Sequence, residues 1–176
     1  MIAMKILIGA LIVLVALGGS AMAASSTTQV SATLSPYISL AVPSAISGWT
    51  LTQGDDNTIS PGGLAVNSNA PWHIFVQSAL DIPDKGNDYC GHFWSPTAYS
   101  AGLGVRVLGH GPGFLANPLV LNAGPGDVTL SDDSAPLVSG INLGSISIPL
   151  AMKQKVVMAD PAANNYRIVI QFTASN

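Results

Sequence analysis

Trp72-His73-Ile74-Phe75-Val76-Gln77-Ser78 alternates along its whole length. In an extended segment Trp72, Ile74 and Val76 fall on one face, and His73, Phe75 and Gln77 on the other. The same period of two recurs on either side. Thr28, Val30, Ala32 and Leu34 alternate with Gln29, Ser31 and Thr33, which predicts a first strand ended by Pro36. Tyr37–Val42 reads as a second, Trp49–Thr52 as a third entered through Gly48, and Gly63–Asn67 as a fourth. Asp55-Asp56-Asn57 and Asn67-Ser68-Asn69 read as turns.

Beyond Ser78, strands are expected at Gly104–Leu108, Leu119–Leu121, Asp127–Leu130, Ile141–Ile148, Leu150–Met158 and Tyr166–Thr173, with a loop over Ala159–Asn165. After the N-terminus, no window places apolar residues at i, i+3, i+4 and i+7 with a polar opposite face, so no helix is expected. Short strands between turn signals point to an all-β fold, an antiparallel β-sandwich of Ig-like or jelly-roll-like type. Asp81–Ala101 breaks the pattern and reads as a long loop or insertion.

The N-terminus has another character. Lys5 precedes an apolar run, Ile6–Leu17, and small residues close it, with Ala21 and Ala23 at the positions of an A-x-A cleavage site. This predicts a hydrophobic signal helix over 1–23 and a single domain over 24–176. Retention as an anchor is the alternative, although the run is short beside the roughly 20 residues of a membrane span. The lone cysteine, Cys90, is not at the cleavage point, which argues against a lipoprotein. Ile6 follows Lys5, which argues against a pilin-type signal. No later segment is apolar enough to span, and Phe172–Asn176 carries no sorting tail. The expected destination is secreted, extracellular or at the cell surface, with membrane contact only through the transient signal.

Composition narrows the function classes. Only 9% of residues are charged, and all nine acidic residues are Asp. The formal charge is −3, and loss of Lys5 with the signal makes it one unit more negative. The few Lys and Arg are scattered, so no nucleic-acid surface is expected. One Cys cannot form an internal disulfide, so a hydrophobic core must hold the fold.

Several segments taken together resemble a known group. Ile46-Ser47-Gly48-Trp49-Thr50-Leu51, Gly63-Leu64-Ala65-Val66-Asn67-Ser68-Asn69, Pro71-Trp72 and Tyr166-Arg167-Ile168-Val169-Ile170-Gln171-Phe172-Thr173 are similar to small secreted archaeal surface proteins best known from methanogens. Trp49-Thr50-Leu51 also resembles the WxL domain of Gram-positive surface proteins, which binds the cell wall non-covalently. That domain carries a second such motif, and the nearest one here, Trp72-His73-Ile74, departs from it. Neither resemblance implies catalytic residues.

Candidate sites are few. Trp49 and Trp72 are either core residues between sheets or platforms for sugar rings; their alternating context favours the core. Phe93, Trp94 and Tyr99, in the irregular stretch, form either an exposed aromatic cluster that binds a ligand or a small core pinning the loop. Asp81, Asp84 and Asp88, with Asn87, offer oxygens to calcium, although turn chemistry explains the same residues. Asp55-Asp56-Asn57 and Asp132-Asp133 are weaker versions. Asp88, Cys90 and His92 alternate like ligands of zinc or copper, but His73 and His110 are remote in sequence. There is no Gly-x-Ser-x-Gly elbow and no phosphate loop. His110, in Gly109–Gly113, stands alone, so no enzyme is expected. Two functions remain. One is a structural protein of the cell surface or matrix that self-associates through Thr28–Leu34. The other is a module that holds a carbohydrate or cell-wall polymer through the 81–101 loop.

Overall fold

The computed structural model describes residues 28–54, 56–79 and 90–176. Ala21, Ala23, Asp55, Asp81, Asp84, Asn87 and Asp88 lie outside these, so the cleavage site and the calcium set have no structural account. The chain divides into two units, 1–34 and 35–176.

The larger unit is all-β with antiparallel sheets. Its strands are β1 (Ile38–Ala41), β2 (Asp56–Ser68), β3 (Trp72–Ser78), β4 (Val120–Asn122), β5 (Asp127–Thr129), β6 (Ala135–Gly140), β7 (Gly144–Lys155) and β8 (Ile170–Ser175). One sheet runs β1-β2-β7-β4-β5 and the other β6-β3-β8. Both feed one buried cluster: Leu64 and Val66 of β2, Ile148, Leu150 and Met152 of β7, Trp72, Ile74 and Val76 of β3, and Leu137 of β6. The Trp72–Ser78 alternation is therefore realised, with its even-numbered residues buried.

Four expected strands take a different form. Thr28–Leu34 has no strand partner among the described residues, and Val30 and Leu34 are 86% and 82% exposed. Trp49–Thr52 is irregular. Gly104–Leu108 turns instead of extending, because Leu108 takes a left-handed φ of 47°; only Val105 makes an isolated bridge, to Phe114. Ile141 lies outside β6 and β7, which meet through 141–143.

Proline hid the true extents. Asp56 and Asn57 open β2 instead of turning, and Ser60 and Pro61 are absorbed in a bulge between Ile59 and Gly62, where Gly62 has a φ of 119°. Pro136 sits on the edge strand β6, beside a register shift opposite Phe75. Pro149 lies inside β7, but β4 ends opposite Ala151, so β7 has one neighbour there. A short helix, α1 (Pro96–Ser100), also forms where none was expected; Ser95 Oγ caps it by accepting from Ala98 N at 3.2 Å.

Candidate functional site

Among the described residues, β8 is hydrogen-bonded on one side only, to β3. Ala79 N donates to Val169 O at 3.0 Å, which fixes the phase of the ladder. Gln171 and Thr173 therefore exchange hydrogen bonds with β3, while Ile170, Phe172 and Ala174 aim N–H and C=O at the open edge. The side chains of these same residues pack partly buried against the main core.

Beside that edge lies segment 42–51, which leaves β1 without forming a strand. Its end is held by Asn57. Oδ1 accepts from Thr52 N at 2.6 Å and from Thr52 Oγ1 at 2.9 Å, and Nδ2 donates to Thr52 O and to Gln154 O. Trp49 stands edge-on to Phe93, with ring centroids 6.0 Å apart. An open groove of about 550 Å³ runs between this segment and β8, floored by Met152 and walled by Ile46, Trp49, Phe93, Ile170 and Phe172. A second groove of about 570 Å³ shares Trp49 and is more polar, with Gln53, Asp160, Asn164 and Tyr166.

The polar side chains there are mostly engaged in structure. Asp160 accepts from Ala116 N on Oδ1 at 2.7 Å and from Val157 N on Oδ2 at 2.8 Å. The Tyr166 hydroxyl donates to Pro161 O at 2.8 Å; burial, then the negative charge of Asp160, pushes its pKa up to about 12. His92 Nδ1 donates to Leu115 O at 2.8 Å, and burial lowers its pKa although this bond and Asp160 pull the other way.

Phe93, Trp94 and Tyr99 do not share a surface. Phe93 packs against the main core. Trp94, 3% exposed, belongs to a second core with Cys90 and Phe114, flanked by Val105 and Val107. The Arg167 guanidinium lies 5.1 Å from the Trp94 ring centroid, and the two backbones exchange hydrogen bonds of 2.9 Å. Only Tyr99, 47% exposed, faces solvent. The small-core alternative thus describes Trp94, and an exposed cluster of all three is overturned. Trp72 is buried, whereas Trp49 is half-buried and lines both grooves.

Among the described residues no three His, Cys, Asp or Glu side chains cluster as a metal site would require. Cys90 is buried and His92 is tied to Leu115, while Asp132 and Asp133 lie between β5 and β6, where Ser131 Oγ donates to Asp133 O. No described helix is long and apolar enough to cross a membrane. Sequence reading missed Asp160 and Asn164, which lie in an unremarkable loop, and the open edge of β8, which only strand order reveals. No family model matches the chain, and no curated protein or solved structure gives a significant match.

Proposed function

We propose that the chain is an exported, non-enzymatic structural subunit of the cell surface or extracellular matrix, its two sheets packed as a β-sandwich. The shared core drawn from both sheets supports the sandwich. One observation carries the functional reading: residues 28–34 have no strand partner among the described residues, yet alternate like a strand, with Val30 and Leu34 in solvent. Large apolar side chains held this way suit a partner better than a free monomer. The low charge, 9% of residues, also suits a surface that neighbours cover. The test is the sedimentation and electron microscopy of the chain from Ala24 on, the length export would leave. Oligomers or filaments are expected; a monomer throughout the micromolar range would overturn the reading.

A second reading, a polymer-binding module, draws support from the polar groove, where half-buried Trp49 stands near Asn164 and Tyr166. Sugar rings favour such an aromatic wall with amide donors beside it. Glycan-array binding that falls for Asn164→Ala and not for Tyr99→Ala would place the ligand in this groove instead of on the 81–101 loop.

A further inference from the structure

Among the described residues four strands end the two sheets, and three of them are poor templates for a new neighbour. β1 has four residues and runs into Pro43, and β5 has three. β6 carries Pro136 beside a register shift. Short edges, proline and bulges are the devices by which proteins blunt a sheet edge. β8 has none of them. Its six residues, Ile-Gln-Phe-Thr-Ala-Ser, include no charge and no proline, and its register with β3 is continuous. The edge it leaves open borders the apolar groove of about 550 Å³.

The chain also supplies a segment that matches this edge. Val30, Ala32 and Leu34 repeat every second residue, as do Ile168, Ile170 and Phe172, so both rows have a spacing of about 7 Å when extended. Residues 28–34 contain neither charge nor proline. We infer that the open edge of β8 receives residues 28–34 of a second copy of this chain, which adds a strand beside β8 and seats Val30, Ala32 and Leu34 in the groove. Backbone hydrogen bonds to Ile168, Ile170, Phe172 and Ala174 supply the attachment, and the groove reads the side chains. The inference rests on the structural-subunit reading and names its contact. Donor and receiver are different surfaces, so the association is head-to-tail and extends into a ring or an open filament.

The experiment uses the chain from Ala24 on and the double variant Val30→Asp/Leu34→Asp, whose positions are exposed and leave the core untouched. Wild type is expected to assemble and the variant to sediment as a folded monomer. A synthetic peptide of residues 24–35 is then added to the variant, and amide hydrogen exchange is followed by NMR. The amides of Ile168, Ile170, Phe172 and Ala174 are expected to slow by about tenfold or more, while those of Gln171 and Thr173, already bonded to β3, change little. Assembly of the double variant would remove residues 28–34 as donor. Peptide protection at β1, β5 or β6, or no slowing at the amides of Ile168, Ile170, Phe172 and Ala174, would overturn the β8 site while leaving a self-associating subunit intact. A monomeric wild type that also ignores the peptide would remove both.

Discussion

The indole of Trp72 lies against Gly140, its cross-strand partner on β6, and its Nε1 donates to Asn142 O at 3.2 Å. A Cβ on Gly140 would run into the ring. The glycine is therefore the seat on which a core tryptophan rests, next to the turn that carries the chain from β6 to β7. Gly140→Ala is expected to cost about 1–3 kcal/mol through displacement of the ring. Urea unfolding followed by tryptophan fluorescence measures it. The cost should shrink in a Trp72→Leu background, where the obstacle is gone.

Asp160 ties Ala116 to Val157, two backbone amides far apart in sequence. Hydrogen bonds to a carboxylate are stronger than neutral ones, and loss of both leaves two donors to find water. Asp160→Ala should lower stability by about 2 kcal/mol, and Asp160→Asn, which keeps one acceptor oxygen, by about half as much. Chemical denaturation of the three proteins checks the order.

His92 makes stability depend on pH in a defined window. Burial lowers its pKa below the ordinary 6.5, so the folded protein resists a proton that the unfolded chain accepts. Above about pH 6.5 the ring is neutral in both states and costs nothing; as the pH falls below this, stability drops until the folded pKa is passed. The unfolding midpoint should fall between about pH 7 and pH 5 more steeply in wild type than in His92→Gln. Asp127 acts lower down. Its pKa is held below 3.8 by Lys153, then Asn122, so its contribution is present above 3.8 and is lost as the pH falls through the folded value.

Trp94 and Tyr99 should separate under mutation. Trp94→Ala empties the second core and removes the ring beneath Arg167, with an expected cost of about 3–5 kcal/mol. Tyr99, about half exposed at the rim of that core, should cost less, about 1 kcal/mol as Ala. Thermal melts of both variants are the check. Loss of ligand binding in Trp94→Ala would accordingly report unfolding before it reported contact.

Residues 72–78 show what local pattern can give. Alternation there needs no distant information, because a core on one face and solvent or half-burial on the other is written in the residue types. Pro61, Pro136 and Pro149 show where it stops. Each looks like a strand breaker, and each is tolerated because of a bulge, an edge or a missing neighbour that only the assembled sheet supplies. Trp94 stays open in the sequence between solvent and a small core for a related reason: Phe114 and Arg167, which cover it, arrive from distant segments. The groove beside β8 is least legible of all, since Trp49, Phe93 and Ile170 come from three separate stretches and none announces the others.

Lys153 and Asp127 form the one ion pair among the described residues, 2.8 Å long and open to water. The buried polar anchor nearby is an amide, Gln154, which donates to Asn117 O and Lys155 O. Dissolved ions screen exposed charges and leave neutral hydrogen bonds and apolar packing largely alone. Among the described residues of this fold, little is therefore available for ions to weaken. Its unfolding midpoint is expected to move little between fresh water and strong brine, so the scarcity of charge amounts to a form of salt tolerance.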